Sequence, residues 1–162
     1  MALIPNAQDK PTRYSFGSTS AIITIMALIA GLDATQNAKT NIIRTLLIIG
    51  LADNISDTLG IHIFQESEGQ KPRAVWLSTA TNFISRFITV FIFIGIILSL
   101  PMSAALPISL VFGLVILSVV SYIVARKRRM NPIISIVEHL AIALFVVLVS
   151  HFLQGYILQR FR

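Results

Sequence analysis

The chain has 162 residues, of which 55% are apolar and 12% are charged, and its mean hydropathy is +0.80. A soluble domain of this length would carry about twice that charged fraction, so the composition predicts a helical protein that crosses a membrane several times. The absence of cysteine excludes disulfides and thiolate metal sites, and the net charge of +6 lies mostly in loops and tails, which indicates contact with anionic headgroups rather than nucleic acid.

Five apolar segments are long enough to form membrane helices. A polar tail over residues 1–14 precedes the first of them, for which a cleaved signal peptide is the alternative interpretation. A second short tail covers residues 159–162. We therefore predict an all-α polytopic membrane protein with one five-helix transmembrane domain over residues 15–158. Its helices are expected at about residues 15–32, 41–66, 75–100, 106–125 and 132–157.

Small and hydroxylated residues recur along one face of the first helix. They are Gly17, Ser20, Thr24, Ala27 and Gly31, at spacings of 3, 4, 3 and 4. Such a stripe allows two helices to approach closely and leaves hydroxyl groups available inside a bundle. Ordinary helix packing is the alternative explanation for it.

The second helix carries two carboxylates near the middle of its apolar stretch. Asp53 and Asp57 are four residues apart, so they share one helical face. A carboxylate that faces lipid costs several kcal/mol, and we therefore expect this face to contact protein or water. The pattern predicts a path or binding site for a cation.

The third helix contains one basic residue, Arg86, well inside its apolar stretch. Counting residues from the helix ends places Arg86 and Asp53 both at a depth of about 15 Å. A buried salt bridge that only fixes helix packing is therefore the alternative to a cation site at Asp53. Asp57 has no evident basic partner at its own depth of about 10 Å.

Glu138, in the fifth helix, is predicted at about the depth of Asp57 and is a candidate accessory carboxylate, although it could instead pair with His139 or with the basic run 126–129. Carboxylates in a membrane span can exchange a proton for a metal ion. Oxygen ligands without cysteine suit Mn²⁺, Fe²⁺ or Mg²⁺ better than Cu⁺. Such an ion would be cargo, and no cofactor is expected. The candidates for lining its path are Ser20, Thr24, Met26 and Asn54.

His62 and Glu66 form another pair at a spacing of four, which is common among metal ligands on a helix. Together with Glu68 they could concentrate cations at the cytosolic mouth of a path, and a solvated helix end is the alternative. The sequence contains no glycine-rich phosphate loop, no catalytic triad motif and no HExxH motif. We therefore expect no enzyme activity.

The distribution of basic residues predicts the orientation. With five spans, the N-terminal tail and the 2–3 and 4–5 connections share one side and hold eight basic residues, against four on the other side. The positive-inside rule places the N-terminus in the cytoplasm and the C-terminus outside or in a lumen.

Three segments, SAIITIMALIAGL, IGLADNISDTLG and NPIISIVEHLAIAL, resemble the vacuolar iron transporter family, and the resemblance extends from about residue 15 to 158. It implies five membrane helices with a cytosolic N-terminus. It also implies a homodimer whose first helices line the path, and the export of Fe²⁺ or Mn²⁺ from the cytosol in exchange for protons.

The chain departs from the family pattern at several positions. The acidic residue of the family's first helix would fall near Ser20, its second-helix methionine falls on Asp57, and its fifth-helix glutamate matches Glu138. One interpretation is that a carboxylate has moved from the first helix to the second, which favours Mn²⁺ over Fe²⁺. The family's cytosolic metal-binding insert is reduced here to residues 67–73.

The expected function is that of a small homodimeric exporter of Mn²⁺ or Fe²⁺ that uses Asp53 and Asp57 as ligands and proton acceptors. Two alternatives remain open: a non-transporting membrane scaffold with the same fold, and a transporter of protons or monovalent cations. If Arg86 binds both aspartates, and neither a hydrated cavity nor a cation lies beside them, transport is ruled out and only the five-helix architecture remains.

Overall fold

Five α-helices account for most of the chain. The computed structural model describes the backbone of residues 12–160 and the side chains of residues 19–157 and 160. No strand occurs in that part of the chain, and the predicted all-α class is confirmed. The helices are α1 (Thr12–Leu32), α2 (Ala38–Ser67), α3 (Pro72–Ser99), α4 (Met102–Lys127) and α5 (Pro132–Arg160).

Four of these helices, α2 to α5, are long and apolar enough to cross a membrane, as the sequence predicts. The apolar part of α1 over Thr19–Leu32 is shorter, so a fifth span stays a prediction. The helix α1 begins at Thr12, within the polar tail predicted over residues 1–14, and the earlier part of that tail lies outside the described residues. At the other end α5 continues to Arg160, into the predicted tail over residues 159–162.

The start of α4 differs from the predicted start of the fourth helix at about residue 106. The helix begins at Met102, directly after Pro101, and includes Pro107. The first four N–H groups of any helix lack a partner within that helix. A proline at the sixth position therefore removes only one backbone hydrogen bond close to the helix end, and the apolar helix tolerates it.

The helix α1 lies at the centre of the bundle, because it packs against each of the other four helices. Around it α2 packs on α3, α3 on α4 and α4 on α5, so α2 and α5 form the two ends of an arc. Ile22, Met26 and Ile29 of α1 are fully buried in the hydrophobic core. Gly113 of α4 makes this packing possible, since a Cβ atom there would lie 2.4 Å from the Sδ atom of Met26.

Candidate cation site in the membrane span

A single arginine of α3 binds both carboxylates of α2. Its Nη1 atom donates to Oδ2 of Asp57 at 2.6 Å, and its Nη2 atom donates to Oδ2 of Asp53 at 2.5 Å. The ion pair between Arg86 and Asp53, which the sequence left open as the alternative to a cation site, is present. The expectation that Asp57 has no basic partner is wrong, because a planar guanidinium presents several donors and can bind two carboxylates that are one helical turn apart.

The three charged side chains differ in exposure. The side chain of Arg86 is 2% exposed, whereas those of Asp53 and Asp57 are 38% and 34% exposed. The hydroxyl group of Ser20, on α1, donates to Oδ2 of Asp57 at 3.3 Å. Ionised aspartates would leave this group of residues with one net negative charge, placed where α2 meets α1.

A small cavity lies beside the acidic pair. Its volume is about 10 Å³, and Thr24 of α1 lines it together with Gly50, Asp53 and Asn54 of α2 and with Arg86. This space holds about one water molecule. It is too small for a hydrated metal ion.

Polar side chains continue along the seam between α2 and α3. The Nδ2 atom of Asn54 donates to the carbonyl oxygen of Phe83 at 3.0 Å, and its Oδ1 atom accepts from the hydroxyl of Thr58 at 3.3 Å. Asn82 donates to the same Thr58 hydroxyl at 3.0 Å, and all three polar residues are buried. Asn54 therefore lines the cavity while its amide group stabilises the contact between helices. Sequence reasoning missed Thr58, although its spacing of four from Asn54 is the signal that places both on one face.

At the end of α2, the side chain of His62 is 12% exposed and lies against α3. Its Nδ1 atom is 2.8 Å from the hydroxyl of Thr79, and its Nε2 atom is 3.2 Å from a carboxylate oxygen of Glu66. Both ring nitrogens therefore have partners within the protein. Glu68 is exposed and caps the end of α2 through its backbone.

Two other candidates lie away from the acidic pair. Glu138 is exposed on α5, a helix that packs on α1 and α4, and it forms no group of potential metal ligands with Asp53 and Asp57. Met26 is buried against Gly113 in the core rather than beside the cavity. Glu138 is separated from the acidic pair because α5 packs on α1 and α4, and Met26 because it packs against α4; depth along the membrane determines neither contact.

Among the described residues, no three His, Asp or Glu side chains converge into a group that could hold a metal ion. The acidic pair itself consists of two carboxylates, with the hydroxyl of Ser20 hydrogen-bonded to one of them. Comparison with protein-family models, curated proteins and solved structures gave no match to this chain.

Proposed function

We propose that this protein transports cations across a membrane, with Asp53 and Asp57 as the exchange site and Arg86 as an internal counter-ion that the cation displaces. Removal of the guanidinium would free two carboxylates that already lie one helical turn apart. The hydroxyl of Ser20 would add a third oxygen ligand from a different helix. These groups have the chemistry that Mn²⁺ and Fe²⁺ require.

The observation that supports this proposal is the unequal exposure of the three charges. A salt bridge that served only to pack helices would be expected to bury its acids as deeply as its base. Here Arg86 is 2% exposed, while each carboxylate side chain keeps about a third of its surface open. Charged groups in a membrane span almost always face water or protein, so the open side of Asp53 and Asp57 indicates an aqueous path or a second protein surface.

Proton exchange would use the same oxygen atoms. Protonation of either aspartate would neutralise one partner of Arg86, and binding of a divalent cation would compete with both. A metal ion and a proton would then occupy the site alternately, which is the requirement for antiport. The resemblance to vacuolar iron transporters supports export from the cytosol, and the loop charges support an N-terminus on the cytosolic side.

We also propose that two copies of the chain associate along α1. Several residues of the small stripe on this helix are only half-buried in the single chain, and they lie where the arc of helices is open. Close approach of a second α1 would cover them and would enclose the exposed sides of Asp53 and Asp57. The half-buried members of the stripe are Ser20, Thr24, Ala27 and Gly31.

A non-transporting scaffold is the second candidate, and the binding of both aspartates by Arg86 favours it. The small volume of the cavity, about 10 Å³, also favours the scaffold. In this alternative the ion pairs serve only to hold α2 against α3. Metal ions would then leave the melting temperature unchanged.

Ion flux through proteoliposomes of the purified full-length chain distinguishes these candidates. We expect Mn²⁺ uptake with counterflow of protons in the wild type, and loss of uptake in Asp57→Asn. Asp33→Asn is the matched control, since Asp33 lies in the connection between α1 and α2, near His151. This variant should transport normally.

Normal Mn²⁺ uptake by a folded Asp57→Asn variant would remove this residue from the mechanism. Flux of Na⁺ or protons without any divalent ion would identify a monovalent cation transporter. A wild-type protein that moves none of these ions, and that no metal stabilises, would be a scaffold.

A further inference from the structure

Two helix connections lie at the same end of the bundle, because consecutive helices of the α2–α5 arc alternate in direction. One connection joins α2 to α3, and the other joins α4 to α5. Both begin with the same C-terminal turn. In the first, the N–H of Gln70 donates to the carbonyl of Gln65 and that of Gly69 to the carbonyl of Glu66. These are the two bonds of a Schellman motif.

The second connection repeats this motif with a different residue at its critical position. The N–H of Met130 donates to the carbonyl of Ala125, and that of Arg129 to the carbonyl of Arg126. Arg129 has a φ of 55°, where the first turn has Gly69 at 67°. Glycine or asparagine normally occupies this left-handed position, because a side chain with a Cβ atom is strained there.

Arg129 is unusual in the part of the chain that the structure describes. Positive φ values occur there at Asn37, Gly69 and Arg129, and the first two are residue types that adopt this conformation readily. The chain therefore holds an arginine in a conformation that a glycine adopts without strain in the matching turn. Backbone conformation therefore does not favour arginine over glycine at this position.

Arg129 belongs to a group of six exposed basic residues at this end, which we call the basic end. None of the six has a carboxylate partner among the described residues. The arginine that does pair with carboxylates there is Arg86, which lies deep in the span. The acidic residues nearby along the chain are Glu66, which faces His62, and the exposed Glu68 and Glu138. The members of the basic end are Lys71, Arg73, Arg126, Lys127, Arg128 and Arg129.

Two exposed aromatic residues indicate where the membrane surface lies. Tyr122 precedes Arg126 by one helical turn, and the guanidinium carbon of Arg126 lies 6.0 Å from the centre of its ring. Trp76 lies in the second turn of α3 and is 65% exposed. Tryptophan and tyrosine prefer the level of the lipid headgroups, which places the basic end directly against the headgroup phosphates.

We propose that the basic end binds the phosphate headgroups of anionic phospholipids, and that Arg129 is held in a strained turn because its charge contacts them. The site would select phosphatidylglycerol over phosphatidylcholine in the lipid shell around α3 and α4. This inference does not depend on cation transport at the acidic pair.

Trp76 is the one tryptophan of the chain and reports on lipids at this end. The full-length protein is placed in mixed vesicles of phosphatidylcholine and phosphatidylglycerol in which either one lipid or the other carries bromine, which quenches tryptophan fluorescence. We expect stronger quenching by brominated phosphatidylglycerol. Each removed charge should weaken the preference about fivefold, so Arg129→Asn should reduce it and Arg129→Lys should retain it.

Arg160→Gln is the matched control, because Arg160 is an exposed arginine at the opposite end of α5. It should leave the quenching of Trp76 unchanged. Arg129→Asn should also raise the melting temperature in pure phosphatidylcholine, since asparagine tolerates the left-handed conformation. This gain in stability together with a loss of lipid preference separates a lipid contact from a merely structural arginine.

Equal quenching by the two lipids in the wild type would overturn the proposal, as would an unchanged preference in Arg129→Asn. A lower melting temperature for Arg129→Asn would assign the arginine a packing role instead. Loss of the lipid preference on addition of inorganic phosphate at constant ionic strength would indicate a site for soluble anions and would also overturn it.

Discussion

At the scale of single residues, the main electrostatic contact between α2 and α3 is the pairing of Arg86 with two carboxylates. A charge at this depth is costly unless it is compensated, and the guanidinium compensates both acids through hydrogen bonds of 2.5 and 2.6 Å. The pairing is also asymmetric, since two negative groups share one positive group. The residue whose loss leaves the most uncompensated charge is therefore Arg86.

Arg86→Ala should lower the free energy of unfolding by about 3 kcal/mol, because it leaves two carboxylates in the span without a counter-charge. Titration of the protein with SDS in mixed micelles, followed by circular dichroism, measures this change. The triple variant that combines Arg86→Ala with Asp53→Asn and Asp57→Asn should recover most of the lost free energy of unfolding, since no uncompensated charge then remains.

Arg44→Ala is the control for this measurement, because Arg44 is exposed on α2 and should change the stability by less than about 0.5 kcal/mol. An Arg86→Ala variant as stable as the wild type would show that the ion pairs contribute nothing to stability.

At the scale of helices, the contact between α2 and α3 depends on close approach at Gly50. A Cβ atom at this position would lie 2.8 Å from Cγ1 and 3.0 Å from Cγ2 of Val90, which is itself 5% exposed. Neither helix can yield easily, since valine has little rotational freedom in a helix. This spacing brings α2 near enough for Asp53 to reach Arg86.

Gly50→Ala should therefore destabilise the protein by about 1–3 kcal/mol through overpacking. Gly60→Ala on the same helix is the matched control, since a Cβ atom there has no neighbour within 4 Å. Alanine is the better helix former, so the control should be neutral or more stable by up to about 1 kcal/mol. Equal effects of the two substitutions in the SDS titration would contradict this account of the helix contact.

At the scale of the whole molecule, the chain surrounds α1 with four helices but leaves one side of it less covered. The core residues of α1 are fully buried, while Ser20, Thr24, Ala27 and Gly31 on its other face are half-buried between the ends of the arc formed by α2 and α5. Apolar surface elsewhere on the bundle is suited to lipid. The partly exposed carboxylates of α2 are unfavourable against lipid. A second copy that packs on the less covered side of α1 would therefore remove these carboxylates from lipid.

A cysteine at Ala27 should therefore form a disulfide-linked dimer in membranes, as two such residues approach across a pair of α1 helices. The natural chain has no cysteine, so single substitutions need no background removal. Val111→Cys is the control, because Val111 is 60% exposed on α4 and should remain monomeric on a non-reducing gel. Cross-linking through position 111 but not through position 27 would place the dimer interface elsewhere.

Several expectations followed from local properties of the amino-acid sequence. Hydropathy determined the helices α2, α3 and α5 within a few residues, because each apolar segment is long enough to be recognised without its neighbours. A spacing of four residues placed Asp53 and Asp57 on one face for the same reason. Counting along the helices also placed Arg86 and Asp53 at the same depth, which left an ion pair between them as one of two alternatives.

The remaining features depend on how the helices rotate and pack against each other, which only the tertiary structure decides. Arg86 reaches Asp57 as well as Asp53 because α3 faces α2 across a close glycine contact. Glu138 lies apart from the acidic pair because α5 packs on α1 and α4, and Met26 lies in the core because it packs against Gly113 of α4. The amino-acid sequence by itself determined which charges lie in the membrane, whereas the packed bundle decided which of them meet.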